Sequence, residues 1–384
     1  LPFMPRDYQY DAITHAIINK RATLVSPTGS GKSFIIYLLM RWYLEEYETG
    51  NVLIIVPTTG LVEQMTKDFE NYGYDSNLIH KIYSGKDKET NKRIVITTWQ
   101  SIHRLAPKWF ESFGIVFGDE CHGFKAKSLS SIMNKAINAE YRFGTTGTLD
   151  GTQTHRMVLE GLFGPVHKVT TTKKLQDAKQ LAKLDIDIIL LEYSEEERAR
   201  LQSATYQEEI DFIVSYSARN NFIRNLACSL EGNTLVLFNL VDRHGKVLRD
   251  LIEDRVGEND NNQKKIFYVS GETKTSDREN VRAIVEKQSN SIIIASLGTF
   301  STGINIKNIH NIVFASPSKS QIRVLQSIGR GLRVSDNGRD TKLYDIADNL
   351  RYNGKPNFTL RHSAERVKIY NNEKFPFKLT EVKI

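Results

Sequence analysis

Short apolar runs rich in β-branched residues alternate along this chain with longer amphipathic runs. Ala22–Val25, Val52–Val56, Ile94–Thr97, Ile115–Phe117 and Tyr141–Gly144 are apolar at nearly every position. Such runs suit strands of a parallel sheet buried on both faces by the helices between them. A second series follows in Ile186–Glu192, Thr234–Phe238, Lys265–Val269, Ser291–Ala295, Asn311–Ala315 and Lys342–Ile346. The pattern predicts an α/β protein of two units with mainly parallel sheets, 1–166 and 167–384. Between the first two strands of the second unit, 194–230 reads as helical and charged, opening on Glu195-Glu196-Glu197-Arg198, where acids favour a helix start. The stretch 351–384 holds eight Lys or Arg against three Asp or Glu. It reads as a basic tail, either a solvated face or a nucleic-acid contact.

Composition narrows the class without naming it. A length of 384 residues agrees with two compact domains. The formal charge of +7 suits a polyanionic partner. Cys121 and Cys228 are the only cysteines, too few for a disulfide framework or a zinc site, and a reducing cytoplasm is the expected setting. No run approaches the roughly 18 apolar residues of a membrane span, so no membrane partner is expected. The chain begins at Leu1 with no signal-peptide pattern. Without an initiator Met, a segment is expected to precede it.

The chemistry starts at Ser26-Pro27-Thr28-Gly29-Ser30-Gly31-Lys32-Ser33, between the first strand and a helix-like run from Phe34 to Tyr47. Strand, loop and helix are the context of a phosphate-binding loop. Thr28, Gly29, Ser30 and Gly31 would turn backbone N–H groups toward phosphates at a helix N-terminus. Lys32 would reach the β- and γ-phosphates, and Ser33 would hold Mg²⁺. The usual first glycine of that motif is Ser26 here. Asp119-Glu120-Cys121-His122 follows the fourth strand, so its carboxylates emerge where open α/β sheets bind ligands. Asp119 would orient Mg²⁺, and Glu120 would activate the water that attacks the γ-phosphate. Glu272-Thr273-Lys274 matches a nuclease E-x-K only in its letters.

A phosphate loop followed by Asp-Glu-x-His resembles the DExH type of superfamily 2 helicase. That resemblance implies two RecA-like domains with an ATP site in the cleft between them, and it gives roles to further residues. Arg6-Asp7-Tyr8-Gln9 is similar to the element that holds adenine, with Gln9 reading the base edge and Arg6 supporting it. Pro57-Thr58-Thr59-Gly60 and Thr97-Thr98-Trp99-Gln100-Ser101 resemble strand-contact motifs, implying phosphate contacts at Pro57, Thr58, Thr98 and Gln100. Thr145-Thr146-Gly147-Thr148 stands at motif III, which would link His122 to nucleic-acid binding; Gly147 departs from the commoner spelling. In the second unit Asn239, Ser270, Gly271, Thr299 and Ser301 fall at further strand contacts. Gly303 and Asn305 close motif V on the nucleotide. Gln326-Ser327-Ile328-Gly329-Arg330-Gly331-Leu332-Arg333 resembles motif VI, whose Gln326, Arg330 and Arg333 would complete the catalytic set.

The resemblance runs over the whole chain. It is closest to the phage recombination helicases, through Ile54-Ile55-Val56-Pro57-Thr58-Thr59, Ser128-Leu129-Ser130-Ser131-Ile132, Thr205-Tyr206-Gln207-Glu208-Glu209-Ile210 and Phe300-Ser301-Thr302-Gly303-Ile304. It implies a monomeric motor using ATP and Mg²⁺ in a host cytoplasm to unwind, anneal and branch-migrate forked or four-way DNA, alongside other recombination or replication proteins. An RNA helicase and the motor subunit of a restriction-type complex share this core and stay open as alternatives.

Overall fold

The computed structural model describes residues 2–83, 85–123, 126–147, 149, 153–181, 183–258, 264–303, 306, 308–316 and 340–384. These form two compact units, Leu1–Thr171 and Thr172–Ile384. Each is built on a seven-stranded sheet, and every strand pairing is parallel.

In the first unit the strands are β1 (Arg21–Val25), β2 (Asn51–Val56), β3 (Ile79–Ile82), β4 (Ile94–Thr98), β5 (Phe113–Asp119), β6 (Tyr141–Thr146) and β7 (Val166–Lys168). Their spatial order is β3-β4-β2-β5-β6-β1-β7. The five predicted strands are all present, and β3 and β7 extend the sheet at its edges. Because β7 pairs with β1, this sheet runs past residue 166. Alternate residues of one strand enter different cores. Ile54 and Val56 pack with helices α1 (Asp7–Asn19), α2 (Lys32–Glu46) and α3 (Thr59–Asn71), whereas Leu53 and Ile55 pack with Ile132, Met133, Leu159 and Phe163 on the other face. Burial on both faces accounts for the continuous apolar runs.

The second unit contains β8 (Leu184–Glu192), β9 (Thr234–Phe238), β10 (Lys265–Val269), β11 (Ser291–Ser296), β12 (Asn311–Phe314), β13 (Thr341–Asn349) and β14 (Phe377–Lys383), in the order β10-β11-β9-β12-β13-β8-β14. Segment 194–230 contains three helices, Glu195–Arg200, Tyr206–Ser215 and Ser217–Ser229. The basic stretch 351–384 contains the helix Phe358–Asn372 and the edge strand β14, and seven of its eight Lys and Arg are exposed, as on a solvated face. One of its charges is internal, since Arg366 is fully buried and forks onto Asp345 of β13, with Nη2 to Oδ1 at 2.7 Å and Nε to Oδ2 at 2.9 Å; Tyr370 donates to the same carboxylate. Three residues on, and so across the strand, Asp348 receives Arg219 Nε at 2.7 Å and the Tyr193 hydroxyl at 2.8 Å. Two buried Arg-Asp-Tyr groups thus fasten a helix to each side of β13.

Parallel pairing brings the strand C-termini to one edge of each sheet, which is where such sheets place ligands. Among the described residues no helix is long and apolar enough to cross a membrane.

Candidate nucleotide site and nucleic-acid contacts

The phosphate loop links β1 to α2. Gly29 and Gly31 sit at φ 84° and 81°, the left-handed region that costs a side-chain-bearing residue about 1–2 kcal/mol. Gly31 is also crowded: a Cβ there would lie 2.5 Å from Gln9 Nε2. Gln9 is buried. Its amide donates to the Ser30 carbonyl at 2.9 Å and accepts from Arg6 N–H at 3.0 Å, while the Tyr8 hydroxyl donates to the same carbonyl. Arg6 Nη1 in turn donates to Tyr8. The Arg6 to Gln9 element therefore grips the phosphate loop. Tyr8 was missed as a participant, although it stands beside Gln9 in the sequence. Ser26, at the departure from the usual glycine, is buried and donates to Ser30 Oγ at 2.6 Å. Thr28 is half-buried in the same loop.

Lys32 Nζ lies 3.3 Å from the Ser26 carbonyl and 3.2 Å from Glu120 Oε1. Glu120 follows β5 with φ 47°, an uncommon conformation for a residue other than glycine. Asp119 is 7% exposed and accepts from Thr145 Oγ1 at 2.7 Å. Burial and the neighbouring Glu120 charge push the Asp119 carboxyl up to about 6. Burial opposes charge on Glu120 too, but Lys32 and His122 outweigh it and hold that carboxyl below its ordinary range. His122 Nδ1 meets Thr146 Oγ1 at 2.6 Å and Glu120 Oε2 at 3.4 Å. The Gly147 N–H also reaches Glu120, at 3.3 Å, and a Cβ on Gly147 would lie 3.5 Å from Lys32 Nζ. Cys121 is buried in the core with Ile132 and Phe163.

The candidate strand contacts occupy the same edge of each sheet. In the first unit Val56 of β2 is in register with Thr98 of β4, which brings the following loops together. Thr58 caps α3, Gln100 Nε2 lies 3.4 Å from the Pro57 carbonyl, and Thr98 bonds Ser101. In the second unit Asn239, Ser270 and Thr299 follow β9, β10 and β11, whose ends are in register. Ser270 N–H donates to Thr273 Oγ1, Arg278 donates to the Ser270 and Gly271 carbonyls, and Thr299 accepts from Ser296 Oγ at 2.7 Å. Ser301 and Gly303 belong to the helix Leu297–Gly303. Asn305, Gln326, Arg330 and Arg333 lie outside the described residues.

Two family models match: "Type III restriction enzyme, res subunit" over residues 2–151 and "Helicase conserved C-terminal domain" over residues 218–335. UvsW, an ATP-dependent DNA helicase of Enterobacteria phage T4, is 38% identical across 99% of this chain and 78% of its own. The chain is a superfamily 2 helicase. The resemblance to phage recombination helicases is borne out at the level of that relative. A more distant helicase relative is the DNA 3'-5' translocase XPB2 of Sulfurisphaera tokodaii, 23% identical over 86% of this chain and 79% of its own. The DNA-bound type ISP restriction-modification enzyme LlaBIII superposes with a TM-score of 0.70 over all of this chain and 32% of that one, at 16% identity, which shows a shared fold. The two parallel-sheet domains of the helicase are RecA-like, and its activity is ATP hydrolysis coupled to nucleic-acid unwinding.

A helicase of this superfamily uses ATP with a divalent metal. The donors present here are the Ser33 hydroxyl and the Asp119 and Glu120 carboxylates, hard oxygen ligands of the kind that hard divalent cations take. Burial first, and then the neighbouring Glu120 charge, disfavour the ionised Asp119 more than Lys32 favours it. A dication would offset that cost, so these residues fit the group.

Proposed function

We propose that the helicase acts on DNA, using Mg²⁺·ATP to unwind, anneal and branch-migrate forked or four-way substrates in recombination, repair and fork processing. The observation that supports this most is the joining of Lys32, Glu120, His122 and Thr146 into one bonded set, with Asp119 held beside it by Thr145, at the sheet edge that also carries Pro57, Thr58, Thr98 and Gln100. In this reading Lys32 binds the β- and γ-phosphates, and the N–H groups of the loop through Gly29 and Gly31 cradle them. Ser33 and Asp119 hold the metal, which supplies positive charge to the phosphates. Glu120, kept ionised by Lys32 and His122, accepts the proton of the attacking water. His122 and Thr146 tie that carboxylate to β6, so strand binding at the same edge can alter its position. In the second unit Asn239, Ser270, Gly271, Thr299 and Ser301 contact the phosphate backbone, with little sequence preference and strong salt dependence. We take the protein to work as a monomer in the cytoplasm of a host bacterium, with other recombination or replication proteins.

The test is ATP hydrolysis by the full chain alone and with single-stranded DNA, forked DNA and matched RNA, with Glu120→Gln as the blank. Stimulation greatest with forked DNA and lost in Glu120→Gln is the expected result. Equal or greater stimulation by RNA would replace DNA as the substrate.

A further inference from the structure

Tyr72, at the C-terminal end of α3, is 39 residues from Ser33 in sequence, yet its hydroxyl lies 3.0 Å from Ser33 Oγ. Its position is fixed from several sides. The Tyr72 N–H donates to the Asp68 carbonyl at 3.0 Å, and the Tyr72 carbonyl accepts from the Tyr37 hydroxyl at 3.1 Å. Its ring packs on Phe34 at 4.9 Å and on Tyr37 at 5.2 Å between centroids, with Phe3 edge-on at 6.1 Å. Gly73, at φ 87°, then turns the chain away. The hydroxyl is thus presented to Ser33 by a rigid aromatic group.

We infer that Tyr72 is a positioning residue for the metal: it accepts the Ser33 hydroxyl proton, so that the Ser33 oxygen turns a lone pair toward Mg²⁺. This rests on the reading of Ser33 as a metal ligand. A neutral hydroxyl binds a cation through an oxygen lone pair, and its proton must then point away from the ion. Left without an acceptor in a half-buried place, that proton makes the ligand orientation costly. A phenol oxygen can accept as well as donate, and Tyr72 stands at hydrogen-bond distance. Groups that orient a metal ligand in this way typically change metal affinity 10- to 100-fold when removed.

The experiment uses the full chain and a fluorescent ADP analogue, titrated with Mg²⁺, for the wild type, Tyr72→Phe and Ser33→Ala. Phenylalanine keeps the ring packing and deletes only the hydroxyl, and a thermal melt of each variant verifies the fold. The expected result is that Tyr72→Phe raises the Mg²⁺ needed for half-maximal binding about 10-fold, while binding of the analogue in EDTA stays within about twofold of wild type. A loss of packing alone would weaken both. Ser33→Ala separates the two claims. If it raises the Mg²⁺ requirement and Tyr72→Phe does not, the role of Tyr72 is overturned and Ser33 stands. If neither variant moves the requirement, Ser33 is not the ligand and the inference falls with it.

Discussion

Replacing Asp119 by Asn should abolish hydrolysis and yet stabilise the nucleotide-free protein. The carboxyl is 7% exposed and is raised from 3.8 to about 6. A gap of about 2.2 units, at 1.36 kcal/mol per unit, makes ionised Asp119 cost the fold about 3 kcal/mol. The sign follows from linkage: for an acid raised in the fold, stability is lost as pH rises from the unfolded value through the folded one, and the full penalty is present above it. Relative to wild type, Asp119→Asn should therefore gain about 3 kcal/mol at pH 7.5 and about half that at pH 5, where folded Asp119 is mostly protonated. Asn keeps an oxygen for the Thr145 hydroxyl, so the Thr145 bond at 2.7 Å need not be lost. The assay is thermal unfolding without nucleotide or metal, followed by tryptophan fluorescence. All three tryptophans, Trp42, Trp99 and Trp109, lie in the first unit, so the signal reports that unit alone. At 2–4 °C per kcal/mol, the midpoint at pH 7.5 should rise by about 6–12 °C. A variant that melts below wild type, or a gain that does not change between the two pH values, would refute the reasoning.

Two other substitutions probe separate parts of the molecule. Gly31→Ala imposes a Cβ at φ 81° and 2.5 Å from Gln9 Nε2, so it should cost at least about 1–2 kcal/mol and weaken binding of a fluorescent nucleotide about tenfold or more; unchanged affinity would mean the loop rearranges freely. Arg219→Met leaves Asp348 buried with, among the described residues, only the Tyr193 hydroxyl for its charge, so urea unfolding of the second unit should show a loss of about 3–5 kcal/mol. Asp348→Leu added to it should restore much of that loss.

The sequence carried most of the first sheet because its central strands are buried on both faces and so spell continuous apolar runs. Edge strands carry a weaker signal. Ile79–Ile82 has His80 and Lys81 in its middle, β7 is three residues long, and β14 exposes Phe377 and Leu379, so its alternating pattern reads as a tail. At the candidate site, the placing of Lys32 and Glu120 side by side could be anticipated from a glycine loop and an acidic pair that each follow a strand of one parallel sheet. The contacts that set their properties could not. Ser26 to Ser30 depends on the path of the loop, and Tyr72 meets Ser33 only because α2 and α3 pack side by side. One residue of the basic last stretch is an exception for a related reason: Arg366 looks solvated until Asp345, 21 residues away, is known to receive it.

In the second unit the first strand is completed by the last. β8 is bordered by β13 and β14, and Asp187 of β8 accepts from Thr380 across a separation of 193 residues. At 5–20 residues per second, a ribosome needs about 10–40 s to make the intervening chain. For most of that interval β8 has neither neighbour, because β13 is made only shortly before β14, and its Ile186, Ile188 and Leu191 remain open to any other extended segment. The first unit has already emerged by then with all seven of its strands. Biogenesis therefore leaves the second unit as the part that needs protection on the ribosome, and a chaperone that shields extended apolar chain would be expected to act there.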